Sequence, residues 1–167
     1  MLRTSDGEQS VYTWKFNDIK AKDTEDFQYN PDYDLPKVII GIENFKVLGT
    51  VGSSSDWTSL GEWVAGLNTN RQEISNKTKE EIHHLIQGVD APRAQAKLIY
   101  EYFQNKIRYI SIQEGIGSWQ PMKAYDVDAN LYGDCKALSN YMKTLLSIAG
   151  ISSDYALINA GKNNTLF

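Results

Sequence analysis

The chain has 167 residues and a mass of 18.9 kDa, enough for one domain or for one domain and part of another. Hydrophobic residues make up 41% and charged residues 23%, an ordinary globular composition, and no apolar run is long enough to span a bilayer. A net charge of −4 with scattered lysines and arginines argues against nucleic acid as a partner, and a single cysteine excludes an internal disulfide or a metal cage of thiolates.

Met1 to Ser10 are polar and lack the apolar core of a signal peptide. Residues 10–17 (SVYTWKFN) alternate in the manner of a β-strand, with Val11, Tyr12, Trp14 and Phe16 as its apolar members. A polar stretch follows over 18–26, then Pro31 and Pro36 interrupt the chain. Residues 37–42 and 45–51 are predicted strands. The opening, 1–54, is thus strand-rich and too small to bury a core alone.

Helices dominate from there. Asp56 is a predicted N-cap for 57–67, whose Trp57, Leu60, Trp63, Val64 and Leu67 share one face. Ser75 or Asn76 caps a second helix through Gln87, stopped by Gly88, and Asp90 caps a third with Pro92 in its first turn. Leu98, Ile99, Tyr102 and Phe103 form the third helix's apolar stripe. A strand over 108–112 (RYISI), a loop over 115–121 (GIGSWQP) and a short helix over 122–129 come next. The strongest helix opens at Cys135, with Leu138, Tyr141, Met142, Leu145, Leu146 and Ala149 at buried-face spacing and Gly150 as its stop. Residues 153–158 read as a strand, and 161–167 as a polar tail.

Cys135 is the residue with the most chemistry. The N-terminus of a helix favours an anion, and a cysteine placed there gains thiolate character and nucleophilicity. Gly133 and Asp134 precede it, and the cation of Lys136 follows. The plain alternative is a small apolar residue packed beneath the helix. A nucleophile needs a base, and Asp134 is poorly placed because neighbours on a helix point in different directions. His83 and His84 lie on the second helix, where solvated or partly packed side chains are expected; the rival reading folds one of them back onto Cys135. Acyl transfer also needs oxyanion donors. The Cys135 backbone N–H is the first candidate, and the indole of Trp119 or the amide of Gln120 the second. Their plain alternatives are Trp119 filling a core gap beside Pro121 and Gln120 exposed. Tyr109 and Tyr132 are candidate cleft residues, with core packing favoured for Tyr109, and Glu80, Glu81, Asp126 and Asp128 are carboxylates on solvated faces.

The segment 96–158 resembles the N-terminal half of a transglutaminase-like core. The likeness is carried by AKLIYEYFQNKIRYISI (96–112), GIGSWQPMKA (115–124) and YGDCKALSNYMKTLLSIAGISSDYALI (132–158). The nearest variant of the family has Gly-Asp-Cys-Lys-Asp, and Ala137 stands here in place of the last aspartate. YTWKFNDIKA (12–21) is similar to the tail of an uncharacterised β-domain that precedes this core in many bacterial envelope proteins.

The resemblance implies an α+β fold, a partial transglutaminase-like or cysteine-proteinase-like core with helices packed on a small antiparallel sheet. Residues 1–54 would be the tail of the preceding domain and 55–167 part of the core. It implies Cys135 as nucleophile, followed along the chain by a histidine and an aspartate. No histidine follows Cys135 here, so both are expected beyond Phe167, in a larger exported protein of the periplasm or cell envelope. The activity implied is acyl transfer or hydrolysis at a peptide or protein amide, as peptidase, deamidase or crosslinking enzyme, with this part alone nearly inactive. No cofactor is expected, although some members of the family use calcium. The alternative is a non-catalytic scaffold that binds peptide, glycan or envelope partners. A short sheet with an open apolar edge would also favour a homodimer.

Overall fold

The structure, a computed structural model, describes residues 1–7, 9–21 and 36–158. The predicted interruption at Pro31, part of the polar stretch 18–26 and the tail 161–167 lie outside the described residues. The chain divides into two compact units, Met1–Gly41 and the residues from Ile42 onward. The class is α+β, as expected from the alternation of strand-like and helix-like patterns.

In the first unit, β1 (Leu2–Asp6) and β2 (Gln9–Thr13) form an antiparallel hairpin in the register Leu2↔Thr13 to Asp6↔Gln9. Gly7, at φ +59°, takes the left-handed turn that only glycine adopts freely. β1 was not anticipated: its sequence, LRTSD, has no apolar alternation to reveal it. The Arg3 guanidinium lies 5.5 Å from the Tyr12 ring, and Tyr12 stacks on Trp14 at 6.0 Å. The predicted strand 37–42 forms no ladder among the described residues, and Val38, Ile39, Ile40 and Ile42 are exposed. β-Branched residues favour an extended chain but need a partner backbone to become a strand.

The second unit opens with a hairpin, β3 (Asn44–Val47) and β4 (Thr50–Ser53), where one strand over 45–51 was expected. Leu48 and Gly49 turn the chain back at φ +43° and +91°. Gly52 lets this hairpin lie on the next helix: a Cβ there would come within 2.6 Å of the Phe45 ring and 2.7 Å of Trp63.

Among the described residues five α-helices follow. α1 (Trp57–Leu67) is capped by Asp56, whose carboxylate accepts from the Ser59 N–H at 2.7 Å. It buries Trp63, Val64 and Leu67, while Trp57, expected on the same face, is exposed. α2 (Asn76–Leu85) is capped by Ser75 and ends before the predicted Gln87. α3 (Pro92–Lys106) starts at Pro92 with no side-chain cap; Asp90 does not serve, and the proline removes one N–H that a cap would otherwise satisfy. α4 (Ala124–Asn130) ends on Leu131 at φ +61°. α5 (Cys135–Ile148) is followed by Gly150 at φ +71° and buries Ala137, Asn140, Tyr141, Thr144 and Leu145.

Between α3 and α5 the chain crosses beside itself. β5 (Arg108–Tyr109) pairs in parallel with β6 (Tyr132–Gly133), so this third ladder departs from the antiparallel pattern of the hairpins. The ladder is shorter than the predicted 108–112 because β6 has only two residues to offer before α5 begins. Tyr109, expected in the core, is exposed. A 3₁₀ turn (Gly115–Ser118) lies between β5 and α4. Residues 152–158 form neither helix nor ladder among the described residues, in place of the predicted strand 153–158.

Two apolar clusters hold the unit. Ile82, Ile99, Ile107, Val127, Ala137, Tyr141 and Leu145 join α2, α3, α4 and α5. Each fully buried aliphatic side chain there stabilises the fold by about 1.5–3 kcal/mol. Trp63, Val64 and Leu67 form the second cluster with Phe45, Val47, Ile116 and Tyr155.

A polar network completes the first cluster. Asp128 accepts from Thr78 Oγ1 at 2.5 Å, Tyr141 OH at 2.8 Å and Lys106 Nζ at 3.1 Å. Lys106 also donates to Tyr102 OH at 2.7 Å, and Tyr102 donates to Glu81 at 2.7 Å. Asp128 is therefore not a solvated carboxylate. Its side chain, 11% exposed, is the node that ties four helices together. Asn140 does similar work: its Nδ2 donates to Arg71 O at 2.8 Å and its Oδ1 accepts from Gln72 at 2.8 Å, fixing the α1–α2 connection against α5.

Candidate active site

Cys135 is the first residue of α5, and its side chain is exposed. The reading of it as a small buried apolar residue is therefore set aside. Three neighbours fix the helix start. Gly133 belongs to β6 and sits so close to α5 that a Cβ there would lie 2.9 Å from Ala137 Cβ and 3.2 Å from Leu138 Cδ2. Asp134 is the N-cap, accepting from the Ala137 N–H at 2.9 Å, while its carbonyl accepts from the Leu138 N–H at 2.8 Å. The parallel ladder adds a third restraint, Ile110 N–H to Gly133 O at 2.9 Å.

Every helix start leaves four N–H groups without an intrahelical partner, here those of residues 134–137, and the Asp134 carboxylate satisfies that of Ala137. Two of the others, on Cys135 and Lys136, meet no acceptor among the described residues. They sit at the positive end of a 14-residue helix. A negative oxygen bonded to a carbon under attack by the thiol finds donors there.

Lys136 does not stand beside the thiol as a free cation. Its ammonium pairs with the Asp134 carboxylate, and the two side chains are 12% and 6% exposed. The charge of Lys136 is spent on a nearly buried ion pair, which in turn holds the cap.

Among the described residues, no side chain hydrogen-bonds to the Cys135 thiol. His83 and His84 are exposed on α2 and make no hydrogen bond to it, so the rival pairing of either with Cys135 is not formed. Trp119 and Gln120 make no hydrogen bond to Cys135 either. Trp119 follows the 3₁₀ turn, is partly exposed, and packs edge-on against Trp63 at 5.2 Å; Trp63 packs in the same manner on Phe45 at 4.8 Å. Gln120 is partly buried. Tyr132 is half-buried in β6, one residue before Gly133.

The setting of Tyr155 was missed by sequence reasoning. Burial first, and the nearby charges of Cys135 and Asp134 second, push the Tyr155 hydroxyl above its ordinary value. Tyr155 packs against the Trp63–Val64–Leu67 cluster, and Trp119 packs on Trp63. Both aromatic residues thus adjoin the α1 cluster. The signal for Tyr155 in the sequence was only its place in an alternating run, which does not say what its hydroxyl faces.

Tyr155 also lines a groove of about 670 Å³ between α1, α5 and residues 154–157. Leu60, Val64, Asn68, Lys143 and Leu157 are among its walls. The groove lies entirely within the second unit. Among the described residues, no group of three or more His, Cys, Asp or Glu is arranged to hold a metal, and no helix is long and apolar enough to cross a membrane.

No protein-family model and no curated protein matches the chain. Among solved structures it is similar to a candidate protease from Parabacteroides distasonis, at 16% sequence identity and a TM-score of 0.45, over 52% of this chain and 17% of that one. The chain thus spans about a sixth of that protein's length.

Proposed function

We propose that Cys135 is the nucleophile of a transglutaminase-like enzyme acting on amides, and that this chain carries the thiol and its oxyanion donors. The observation that carries this reading is the exposed thiol at the first position of α5, beside two N–H groups with no acceptor. In the reaction the Cys135 sulfur bonds to the amide carbonyl carbon. The carbonyl oxygen gains negative charge facing the Cys135 and Lys136 N–H groups. The C–N bond then breaks, and the nitrogen leaves with the proton released by the thiol. Water attacking the thioester gives an acid and returns the thiol; an amine gives a new amide.

A base must carry that proton, and no described residue is placed to do so. In the proposed whole protein a later histidine fills this role, oriented by an aspartate. The chain alone then turns over slowly, since removing one member of a cooperating set costs orders of magnitude in rate.

Added imidazole tests this. With p-nitrophenyl acetate as substrate, the rate above the imidazole background should rise with imidazole concentration in the native chain and vanish in Cys135→Ala. Equal rates in the two proteins would remove the catalytic reading. They would favour the scaffold alternative, which rests on the absence of a base at the thiol and on Ala137, buried where the family has a carboxylate.

A further inference from the structure

We propose that Asp128 is a positioning residue for Cys135: its carboxylate closes the chain around the α4–α5 connection and thereby sets where the tip of α5 points. The contacts already described seat that tip on β6. Yet β6 is only two residues long and joins α4 through Leu131, so β6 and α5 must be placed together by something outside them.

The bonds of Asp128 do this from two sides. Asp128 stands in α4 and Tyr141 in α5, so the bond from Tyr141 OH to Asp128 Oδ1, at 2.8 Å, closes residues 128–141 into a ring that contains Cys135. Lys106, the last residue of α3, donates to the same oxygen at 3.1 Å and leads into β5. β5 then holds the connection: the Arg108 N–H donates to Leu131 O and the Ile110 N–H to Gly133 O, both at 2.9 Å. Thr78 Oγ1 donates to the other oxygen, Oδ2, at 2.5 Å and fixes the rotation of the carboxylate against α2. The thiol is carried by a closed frame whose junction is Asp128.

Backbone strain inside the frame supports this independently. Leu131 sits at φ +61°, a left-handed conformation that a residue with a Cβ disfavours. Its side chain is 40% exposed, so burial does not hold it there. Its backbone is held instead: the N–H donates to Val127 O at 2.8 Å and the carbonyl accepts from Arg108. Such strain persists only where the surrounding structure over-determines it, and it gathers where a functional group is being aimed.

The lever is long enough to matter. Burial of Ala137 and Leu145 holds α5 down without fixing its direction, whereas a hydrogen bond has a preferred angle and resists tilt and rotation. Tyr141 lies about 9 Å along the helix from Cys135, so a tilt of about 10° there moves the tip by about 1.5 Å. A misplacement of about 1 Å at a reacting centre can cost about a hundredfold in rate. The consequence for turnover rests on the reading of Cys135 as nucleophile; the consequence for the placement of α5 does not.

The test pairs N–H residual dipolar couplings of the ¹⁵N-labelled chain, which report helix direction, with turnover of p-nitrophenyl acetate at a fixed imidazole concentration. Both are measured below the onset of unfolding. In Asp128→Ala the couplings of 133–141 should depart from the native direction of α5 while those of α1 still fit it. The Cys135-dependent kcat should fall by about ten- to a hundredfold with KM unchanged. Asp128→Asn keeps an oxygen for Tyr141 and Lys106 and should restore most of both. Val47→Ala, a destabilising change in the Trp63 cluster, should alter neither. If Asp128→Ala does not fold, Tyr141→Phe opens the ring alone and the same departures are read there. Native couplings at 133–141, altered couplings with a native kcat, or equal losses in Val47→Ala overturn the proposal. Altered couplings in a chain whose turnover never depended on Cys135 uphold the placement of the tip by Asp128 and remove only the reading of Cys135.

Discussion

Gly133 and Ala137 are packed so closely that a Cβ on the glycine would lie 2.9 Å from that of the alanine. This contact seats the tip of α5 on β6, and with it the thiol of Cys135. It also gives a local reason for alanine at 137, where the family resemblance leads one to expect aspartate: the site is 1% exposed and has no room for a carboxylate.

Gly133→Ala is therefore expected to destabilise the unit by about 1–3 kcal/mol, the usual range for overpacking. Ala137→Asp should cost more, about 3 kcal/mol or above, because it buries a charge with no partner. Urea unfolding of both variants measures this. An Ala137→Asp chain as stable as the native one would mean that α5 starts in a more open setting than described.

The Asp128 node predicts a second set of losses. Tyr141→Phe removes one of three donors and should cost about 1–3 kcal/mol. Asp128→Ala leaves Tyr141 and Lys106 without their shared acceptor and should cost at least as much. The double variant should cost less than the sum, since both changes break the same bond. Strict additivity would show that the network is not formed.

The same node sets how stability varies with pH. Burial acts to raise the Asp128 carboxyl, but donors from Thr78, Tyr141 and Lys106 outweigh it and hold it below the ordinary value. Its contribution is present above the unfolded carboxyl value of about 4 and is lost as pH falls through the lower folded value. Tyr141 runs the other way. Burial and the bond to Asp128 push its hydroxyl far up, so its contribution is full below about pH 10 and is lost as pH rises beyond that. Thermal melts should thus show a plateau with an acid and an alkaline fall. Asp128→Asn should flatten the acid side and Tyr141→Phe the alkaline side. Variants whose curves run parallel to the native one would disprove these assignments.

Helices were legible in the sequence wherever an apolar stripe met a cap or a stop, as at Asp56 for α1 and around Leu138, Tyr141 and Leu145 for α5. The Cys135 helix was legible from its apolar stripe and its Gly150 stop, while its cap, Asp134, was not read as one. Strands were read less well, because a strand is a relation between two segments. Residues 37–42 have the composition but form no ladder among the described residues, LRTSD has a ladder and no composition, and 45–51 was cut by a left-handed turn at Leu48 and Gly49. Tertiary polar contacts were invisible. Nothing about Asp128 in the sequence distinguishes it from Asp126, and only the meeting of α2, α3 and α5 turns it into the acceptor for Thr78, Lys106 and Tyr141. Lys136 was misjudged in the same way: its spacing from Cys135 suggested help for a thiolate, but a closer anion, Asp134, has taken it.

That last pair makes a separable prediction. Lys136→Met leaves the Asp134 carboxylate nearly buried without its cation and should cost about 3 kcal/mol. Asp134→Asn keeps an acceptor for the Ala137 N–H but strands Lys136, and should cost a similar amount. Changing both residues together removes the two charges at once while the asparagine still caps α5, so most of the stability should return. Cys135 alkylation by iodoacetamide follows the helix tip independently of stability: the double variant should react at close to the native rate, and Asp134→Ala, which loses the cap, more slowly. If the double variant is no more stable than either single one, the ion pair contributes little, and the helix start must be held by the Gly133–Ala137 contact and the Ile110–Gly133 hydrogen bond instead.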